Sequence, residues 1–552
     1  MSLTRLPRVH AGVIVALLAI AFVAIPLLYG YLQANGRYFT GADSNPADYA
    51  VYLSYVQQGY EGRVLTTNLY TTVPQKAVFL HPTYVLVGHL ARIAHVSTLT
   101  AFVVARFVAI AACVAALCAF VRVVVRDAHR TTALFFVCFS AGLGFLPMFG
   151  GSDLDDPMDA WLGESTTLST MSAEPHFALA LAAKVLALTL WFRAAEERRW
   201  RFAALAGALC AWLAFDHPFE VVTNAIAIAA YVTFDVIAKR SIRVASLWPS
   251  LVTAAVCAPG LFFAVFQLRG SSYHVQRMRI GVEPLPSVAS FALGLGLTGV
   301  LAVVGVIHSR RSATELSSDR ARRFVVVWAV TNALAMFAFR DTWFGRRLVL
   351  GAHVAIAVLA AVGAVALVAK IPNISPRIRG GVLAVVILIL AITHLDGFAH
   401  SLSVYTRGRS GNDRVYLEAE EREVLALVAA HTPVNAVVQA LPWLERSGAN
   451  ELEVGDATLL LFLPALTGRR ETCGHLIETP QYHAKLLSLG KLTWRLANDN
   501  DPAPVWRAMG ADYLVYSQAG RGGVAATLDP RLAGELPTVA ATPHIKVLAP
   551  PR

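Results

Sequence analysis

The sequence predicts a mainly α-helical, polytopic membrane protein with a small α/β region at its C-terminal end, and three observations support this prediction. Hydrophobic residues make up 56% of the 552 residues and charged residues only 15%. Soluble domains average about 25% charged residues, so the chain is depleted of charge in the way membrane proteins are. Apolar runs recur at the length of roughly 20 residues that a helix needs to cross a bilayer. From about residue 405 the composition becomes polar.

The apolar runs predict about eleven membrane spans. They cover residues 13–31, 99–121, 131–149, 175–193, 202–215, 217–238, 244–268, 286–307, 323–340, 347–369 and 379–398. Basic loops alternate with acidic or mixed loops between these runs, and Lys and Arg mark the cytoplasmic side. The alternation of loop charges is consistent only if the moderately apolar stretch 78–96 is not a full span. We expect this stretch to lie along the outer surface, as an interfacial amphipathic helix does, or to be only partly inserted. The N-terminus is then inside, and the first polar loop and the C-terminal region are outside.

The net charge of +11 is explained by the basic loops between the apolar runs. Most Lys and Arg residues lie in short loops between apolar runs, where the positive-inside tendency places them. The sequence has no basic patch interleaved with aromatic residues, so no nucleic-acid partner is predicted. Five of the six cysteines lie in or beside apolar runs, and no pair has metal-ligand spacing. Neither a cysteine metal site nor a disulfide framework is predicted.

The composition divides the chain into two predicted domains. Residues 1–404 contain the spans and two large outer loops, 34–98 and 150–174. Residues 405–552 have the size of an ordinary small domain and are predicted to form an extracytoplasmic α/β domain. Its strand candidates are residues 436–440 and 513–516.

The first outer loop contains the main candidates for chemistry. It carries Asp43 and Asp48, followed by Lys76 and His81 among several tyrosines that include Tyr52. Acidic, aromatic and cationic residues in one long loop can hold a polar substrate at a membrane surface. Structural ion pairs produce the same pattern, and an Asp near the start of a helix commonly caps it. Both interpretations are open from the sequence.

Later outer loops repeat this mixture of residues. Glu174 precedes Pro175 at the start of a span, and His217 lies at a helix junction. Five arginines lie on the predicted outer side against the positive-inside tendency, namely Arg277, Arg279, Arg340, Arg346 and Arg347. Guanidinium groups bind phosphate through paired hydrogen bonds, which points to an anionic substrate. Pairing with outer carboxylates or with lipid headgroups is the alternative explanation.

His475 and Glu478 form a further candidate pair in the C-terminal region. They are three residues apart and could face the same way on a helix or across a turn. Such a pair can bind an acceptor or contribute to a metal site. Two ligands without a third are a poor metal signal, and a local hydrogen-bonded structure is the commoner outcome.

Taken together, this layout resembles the GT-C class of polyprenyl-phosphate-sugar-dependent glycosyltransferases. It is most similar to the protein O-mannosyltransferase-like and aminoarabinose-transferase-like bacterial members. The resemblance covers the whole chain and is carried by residues 48–53, 57–59, 68–71, 74–76, 79–84, 174–175, 344–347, 468–470, 474–479 and 510–516.

The resemblance implies a transferase that moves a sugar from a polyprenyl-phosphate-linked donor to an acceptor, with inversion, at the outer face of a bacterial inner membrane. By position, Asp48 is the first choice for the carboxylate base and Asp43 the second. Glu174 corresponds to the second-loop acid, although relatives usually have Asp there. The resemblance leaves open a divalent metal, the identity of the sugar, and whether the acceptor is a glycan, a lipid or a protein.

The same resemblance implies residues for the donor. Lys76, Arg279 and Arg346 are candidates for binding its phosphate. The other substrate-binding candidates, taken from the loops described above, are Tyr52, His81, His217, Arg277, Arg347, His475 and Glu478.

A carrier or flippase for a lipid-linked glycan is the alternative function, and an inactive scaffold of the same fold is a third hypothesis. Transport paths usually place ionisable residues in the middle of spans. Here Lys184 is the clearest mid-span charge, and Arg106 lies nearer the start of a span. Most other charges are in loops, which favours chemistry at the membrane surface over transport.

Overall fold

The computed structural model describes residues 8–43, 45–149, 156–240, 244–269, 273, 285–311, 315–407, 415–447, 451–455, 458–517 and 536–551. Helices dominate these residues. In chain order they are Arg8–Leu32, Pro46–Tyr60, Pro82–Ala94, Thr98–Val124, Arg130–Phe139, Met158–Trp161, Thr167–Ser172, Pro175–Glu197, Trp200–Asp216, Phe219–Lys239, Val244–Arg269, Val288–Arg311, Asp319–Ala338, Ala352–Ala369, Pro376–Leu390, Ile392–Arg407, Ala419–His431, Thr458–Thr467, Tyr482–Asn498 and Pro502–Met509. Short 3₁₀ helices are Asp127–His129, Leu146–Phe149 and Gly345–Val349.

Eight segments of the described chain are long and apolar enough to cross a membrane, or nine if one pair of helices bent by 47° forms a single span. The eight are Ala11–Leu32, Thr98–Val124, Pro175–Glu197, Phe219–Ala238, Leu247–Arg269, Val288–Arg311, Asp319–Ala338 and Gly345–Ala369. The bent pair is Pro376–Leu390 with Ile392–Arg407. The chain is therefore a mainly helical, multi-pass membrane protein, as the sequence predicts.

Two of the eleven predicted runs contain helices below this length. The run 131–149 contains helix Arg130–Phe139 of 10 residues, and the run 202–215 lies in helix Trp200–Asp216 of 17 residues. At 1.5 Å per residue these helices are roughly 15 and 26 Å long, against about 30 Å of hydrocarbon. By length and composition the described residues therefore contain eight or nine spans, where the sequence predicts about eleven.

Helix Pro82–Ala94 falls in the stretch that the sequence excludes from the spans. Its 13 residues reach only about 20 Å, too short to cross the hydrocarbon. Leu86, Leu90 and Ile93 lie on one face and are 58%, 54% and 74% exposed, whereas Tyr84 on the other face is fully buried. This two-sided pattern is typical of an interfacial amphipathic helix. Its place at the membrane surface stays a prediction.

Contacts between Cα atoms divide the chain into two compact units, each assembled from separate stretches of sequence. The first unit comprises Met1–Pro26, Val104–Phe266 and Val282–His400. The second comprises Leu27–Val103, Gln267–Gly281 and Ser401–Arg552. The first polar loop thus belongs to the same unit as the C-terminal region. The domain bounds 1–404 and 405–552 stay a prediction.

The first unit is built around helix Ala352–Ala369, in which 15 of 18 residues are buried. Two glycines let this helix approach helix Val288–Arg311 closely. A Cβ at Gly363 would overlap the carbonyl oxygen of Leu301, and a Cβ at Gly305 would overlap that of Leu359. Small residues at helix crossings are typical of membrane proteins, where packing and not the hydrophobic effect holds apolar helices together.

The second unit contains the strands. In the described residues these are β1 (Tyr38–Phe39), β2 (Tyr416–Leu417), β3 (Val438–Ala440), β4 (Trp443–Ser447), β5 (Glu451–Gly455), β6 (Tyr513–Ser517), β7 (Thr538–Ala541) and β8 (Ile545–Leu548). Four of them form a sheet in the order β3-β6-β8-β7, in which β3 is parallel to β6 and the other pairs are antiparallel. β1 pairs with β2, and β4 with β5. This sheet confirms the predicted α/β character of the C-terminal region.

The first polar loop shares a hydrophobic core with the C-terminal residues in the second unit. Helix Thr458–Thr467, with eight of ten residues buried, packs against helix Pro46–Tyr60. Leu53 and Phe462 are both fully buried in this common core. The loop is therefore a folded layer of the unit and not a simple connector between spans.

We expect Gly363→Val to destabilise the protein strongly. Its added Cβ has no room beside Leu301, and overpacking of a core typically costs about 1–3 kcal/mol or more. The matched control is Gly380→Val, because Gly380 is also helical and a Cβ there meets nothing within 4 Å. Thermal unfolding in detergent measures both variants, and equal melting temperatures would contradict the close helix crossing.

Candidate functional site

Aromatic rings hold both predicted arginines of the last outer loop in the first unit. The guanidinium carbon of Arg347 lies 5.6 Å from the ring centroid of Phe219, and its Nη1 is 3.9 Å from Glu164 Oε1. The guanidinium carbon of Arg346 lies 5.9 Å from the ring centroid of Trp161. These separations are within the range of about 6 Å for cation–π attraction. The side chain of Arg347 is 25% exposed, so it is oriented but still accessible.

His217 joins this group through Phe219, since the two ring centroids are 5.3 Å apart. His217 is only 2% exposed, and the ring of His176 lies 5.8 Å away. The Nδ1 atom of His217 is 3.5 Å from Glu220 Oε1, whereas its Nε2 has no hydrogen-bond partner among the described residues. The structure therefore brings two predicted substrate-binding residues, His217 and Arg347, onto one aromatic ring.

A buried ion pair lies beside His217. Lys184 Nζ is 2.6 Å from Glu220 Oε2, and both side chains are 0% exposed. Nζ also donates to Thr223 Oγ1 at 2.7 Å and to the carbonyl oxygen of Leu350 at 2.6 Å. All three ammonium protons thus have acceptors, as a buried charge requires. The sequence identifies Lys184 only as a mid-span charge, and the one signal for Glu220 is a carboxylate at the start of another span.

Glu174 also lies in a buried ion pair. Its Oε2 accepts a hydrogen bond from Arg106 Nη2 at 3.2 Å, and the two side chains are 8% and 1% exposed. Glu174 directly precedes helix Pro175–Glu197, where the helix dipole favours a negative charge. Arg106 and Glu174, which the sequence analysis treats as unrelated residues, therefore form one ion pair. The catalytic role of Glu174 stays a prediction.

Asp159, one of the acidic residues of the predicted outer loop 150–174, anchors the loop that carries Trp161 and Glu164. Its Oδ2 accepts the backbone N–H groups of Gly142 at 2.8 Å and Gly144 at 3.2 Å. Burial raises the pKa of Asp159 to about 6, although these hydrogen bonds favour the charged form. The buried carboxyl group thus fixes the position of the ring beside Arg346.

The two acidic candidates of the first loop lie in the second unit, at the start of helix Pro46–Tyr60. Asn45 caps this helix by accepting the backbone N–H of Asp48 at 3.3 Å, and its Nδ2 donates to Asp48 Oδ2 at 2.8 Å. Asp43 Oδ1 accepts the backbone N–H of Asn45 at 3.5 Å. Both carboxylates are half-buried. Asp48 therefore contributes to the helix start, and its role as a base stays a prediction.

Tyr52 and His81 belong to one aromatic cluster in the second unit. The ring of His81 lies 5.6 Å from Tyr52 and 5.4 Å from Tyr55, and Tyr52 stacks on Tyr84 at 5.0 Å. Lys76 is exposed. The structure thus brings together two of the three loop candidates for substrate binding.

His475 and Glu478 form a local hydrogen-bonded turn. The Nδ1 atom of His475 accepts the backbone N–H groups of Ile477 and Glu478 at 3.1 and 3.0 Å. Glu478 Oε2 accepts the hydroxyl of Tyr273 at 2.7 Å and Asn68 Nδ2 at 3.3 Å. This is the structural alternative that the sequence left open for the pair. The contacts tie the first polar loop to the C-terminal region.

The candidates divide between the two units. Glu174, His217, Arg346 and Arg347 lie in the first unit, and Asp43, Asp48, Tyr52, Lys76, His81, His475 and Glu478 lie in the second. Arg277 and Arg279 lie outside the described residues. Within the described part of the chain, no three His, Cys, Asp or Glu side chains are grouped so as to hold a metal ion.

Neither a protein-family model nor a curated protein matches the sequence. Among solved structures, the chain is similar to ArnT from Cupriavidus metallidurans bound to undecaprenyl phosphate, with 12% identity, a TM-score of 0.48, and coverage of 96% of this chain and 97% of that chain. It is also similar to the arabinofuranosyltransferase AftD from Mycobacteria, with 13% identity, a TM-score of 0.48, and coverage of 96% of this chain and 39% of that chain. At this level a likeness does not assign a family, a substrate or a site.

We expect the stability of the protein to depend on the ionisation of Asp159. The pKa of Asp159 is raised from 3.8 to about 6 in the folded state, so the folded protein loses stability as the pH rises from 3.8 through about 6. At ~1.4 kcal/mol per unit the loss is about 3 kcal/mol above pH 6. Asp159→Asn cannot ionise, so its melting temperature relative to the wild type should increase from pH 4 to pH 8.

The control for this prediction is Asp156→Asn, because Asp156 is exposed on the same loop. Its melting temperature relative to the wild type should not change over the same pH range. A pH-independent difference for Asp159→Asn would show that Asp159 does not carry the raised pKa.

Proposed function

We propose that the chain is an integral-membrane glycosyltransferase of the GT-C type that transfers a sugar from a polyprenyl-phosphate-linked donor to an acceptor. The observation that carries this proposal is the placement of Arg346 and Arg347 beside Trp161 and Phe219 in a unit made of membrane helices. Paired guanidinium groups suit the phosphate of the donor, and exposed apolar helix faces suit its prenyl tail. Arg347 is in addition paired with Glu164, whose Oε1 lies 3.9 Å from its Nη1.

The proposed chemistry places positive charge where negative charge develops. As the acceptor oxygen attacks the anomeric carbon, the bond from that carbon to the phosphate oxygen breaks and its electron pair goes to the phosphate. Cations held in a partly dry site stabilise this departing phosphate most strongly in the transition state. Arg347, which is oriented by Phe219 and Glu164, has the properties that this role requires.

The proton of the acceptor hydroxyl requires a base, and we assign this role to Asp48, with Asp43 as the second choice. Asp48 is half-buried, and its hydrogen bond from Asn45 orients the carboxylate without covering it. Glu174 is less suited to this role, because its side chain is only 8% exposed and its Oε2 already accepts a hydrogen bond from Arg106 Nη2. Glu174 then supports the site structurally.

Transport of a lipid-linked glycan is the competing function. Two ion pairs of the first unit, Lys184 with Glu220 and Arg106 with Glu174, are buried and compensated within the protein. Compensated pairs stabilise helix packing, whereas a transport path requires groups that exchange partners with the cargo. This favours an enzyme. The loop charges support a location in a bacterial inner membrane with the C-terminal region outside.

We expect Asp48→Asn to reduce sugar transfer by about 10²-fold or more, the usual scale for removal of a general base. Asn keeps the size of the side chain and most of its hydrogen bonding, so the melting temperature should stay near that of the wild type. The readout is transfer from a radiolabelled polyprenyl-phosphate sugar by purified protein.

Asn45→Ala is the matched control for Asp48→Asn. It removes the helix cap, which should cost about 1 kcal/mol of stability, and leaves the carboxylate in place. Loss of stability with modest loss of transfer is the expected result. If Asn45→Ala abolished transfer and Asp48→Asn did not, Asp48 would only be part of the helix start.

We expect Arg346→Ala to weaken use of the lipid-linked donor by tens of fold. A charge-assisted contact with phosphate contributes roughly 1.5–3 kcal/mol. Donor titration in the transfer assay measures this effect. Arg240→Ala is the control, because Arg240 is exposed at the far end of helix Phe219–Lys239, and it should leave donor use unchanged. If Arg346→Ala and Arg240→Ala weakened donor use equally, or if the protein transferred sugar from a water-soluble nucleotide sugar, a lipid-phosphate donor would lose its support.

A further inference from the structure

We propose that the turn 198–201 binds the headgroup of an anionic phospholipid at the surface of the membrane that the protein spans. The turn joins helix Pro175–Glu197 to helix Trp200–Asp216 in the first unit. None of its residues takes part in the sugar transfer proposed above, so the inference is independent of that function. It rests on exposed arginines and an exposed indole at the end of a helix of membrane-spanning length.

Helix Pro175–Glu197 places the turn at the edge of the hydrocarbon. With 23 residues it is long and apolar enough to cross a membrane. At 1.5 Å per residue it is roughly 35 Å long, against about 30 Å of hydrocarbon, so the residues that follow it lie at the depth of the headgroups. Trp200 agrees with this depth, because its side chain is 66% exposed and exposed indoles are enriched at the membrane–water interface.

The turn carries more positive charge than the neighbouring carboxylates neutralise. The turn and the end of the helix before it contain four arginines and two glutamates. Both glutamates already have cationic partners. Glu197 Oε1 is 2.7 Å from Arg193 Nε, and its Oε2 is 3.6 Å from Arg199 Nε. Glu196 Oε1 is 2.7 Å from Arg320 Nη1, a cation from a separate helix.

Two arginines of the turn are left to bind an anion. Arg198 and Arg201 are exposed, and neither has an ion-pair partner in the part of the chain that the structure describes. Guanidinium groups bind phosphate through paired, charge-assisted hydrogen bonds. Anionic lipid headgroups attract basic residues that lie within a Debye length of the membrane surface. The adjoining indole of Trp200 supplies an apolar surface for the glycerol and upper acyl carbons of the same lipid.

Local structure disfavours an arginine at both positions. Arg198 ends helix Pro175–Glu197 with a φ of 54°, in the left-handed region where glycine is the usual residue. Arg201 lies in the first turn of helix Trp200–Asp216, where the helix dipole favours negative charge. A bound phosphate removes the second conflict, because it supplies negative charge to the guanidinium groups and to the helix N-terminus together.

The test measures binding of dioctanoyl phosphatidylglycerol to purified full-length protein in a non-ionic detergent, with dioctanoyl phosphatidylcholine as the zwitterionic reference. Affinities follow from the rise in melting temperature, since a ligand that binds only the folded state stabilises it. We expect the wild type to prefer phosphatidylglycerol. The double variant Arg198→Gly with Arg201→Gln should bind it about tenfold or more weakly, because each basic residue near an anionic surface contributes roughly fivefold. Binding of phosphatidylcholine should not change.

The double variant is expected to fold. Glycine adopts the φ of residue 198 without strain, and glutamine removes a cation from the N-terminal end of a helix. Its melting temperature without lipid should therefore stay near that of the wild type. Arg340→Gln is the control, because Arg340 is 72% exposed beyond the end of helix Asp319–Ala338 but lies 3.8 Å from Asp341. Since its charge is compensated locally, its loss should leave affinity for phosphatidylglycerol unchanged.

Three results would overturn the inference. Equal affinity of the wild type for the two lipids would show that the headgroup charge is not recognised. Equal losses in Arg340→Gln and in the double variant would show that net charge, and not the turn 198–201, attracts the lipid. If glycerol phosphate, which has no acyl chains, bound as tightly as phosphatidylglycerol and lost affinity equally in the double variant, the turn would bind a soluble anion and not a lipid.

Discussion

The first unit depends on how a charged amine is accommodated among apolar helices. Lys184 donates to Glu220, to Thr223 and to the carbonyl oxygen of Leu350. An uncompensated charge at such a place is strongly destabilising, so these acceptors must be present together. The ammonium group therefore fixes two helices and the end of the 345–349 segment relative to one another. Asn332 reinforces the arrangement, because its Nδ2 also donates to the carbonyl oxygen of Leu350 at 3.2 Å.

This constraint has consequences for the residues on the surface of the unit. Arg346 and Arg347 precede Leu350 by only a few residues, so the segment that carries them is held from its buried side. Phe219 follows the turn that contains His217 and lies one residue before Glu220. The buried pair thus adjoins both the turn that carries His217 and Phe219 and the segment that carries Arg347. In the sugar transfer that we propose, cations preorganised in this way would stabilise the developing charge without reorganisation.

The second unit differs from the first, because its polar loop segments pack around a hydrophobic core of the kind found in soluble domains. Helix Pro46–Tyr60 and helix Thr458–Thr467 bury apolar side chains against each other, although about 400 residues separate them. Asn68, Tyr273 and Glu478 join three separate stretches of sequence by hydrogen bonds. Such a network is stabilising only when all of its polar atoms are satisfied. The acidic candidates Asp43 and Asp48 are presented at the edge of this folded layer.

The sequence by itself determined the class of this protein, because hydrophobic length and charge depletion are local properties of the chain. It also located the strands at 436–440 and 513–516 and the non-spanning stretch that contains helix Pro82–Ala94. The apolar run 131–149 does not reveal that its helix ends at Phe139, after which Ser140 is extended, and by length and composition the described residues contain eight or nine spans where the sequence predicts about eleven. Helix ends depend on caps and packing that composition does not record.

Tertiary structure alone decided which charged residues are partners. Lys184 and Glu220 are 36 residues apart, and Arg106 and Glu174 are 68 apart, so no helical or strand periodicity relates the members of either pair. The convergence of His217 and Arg347 on Phe219 has the same origin. Conversely, the cap between Asn45 and Asp48 is a local contact that the sequence could suggest. The physical reason is the distance along the sequence over which each effect acts. Local patterns specify helices and strands, whereas the cost of burying a charge determines its ion-pair partner among residues that only the folded chain brings together.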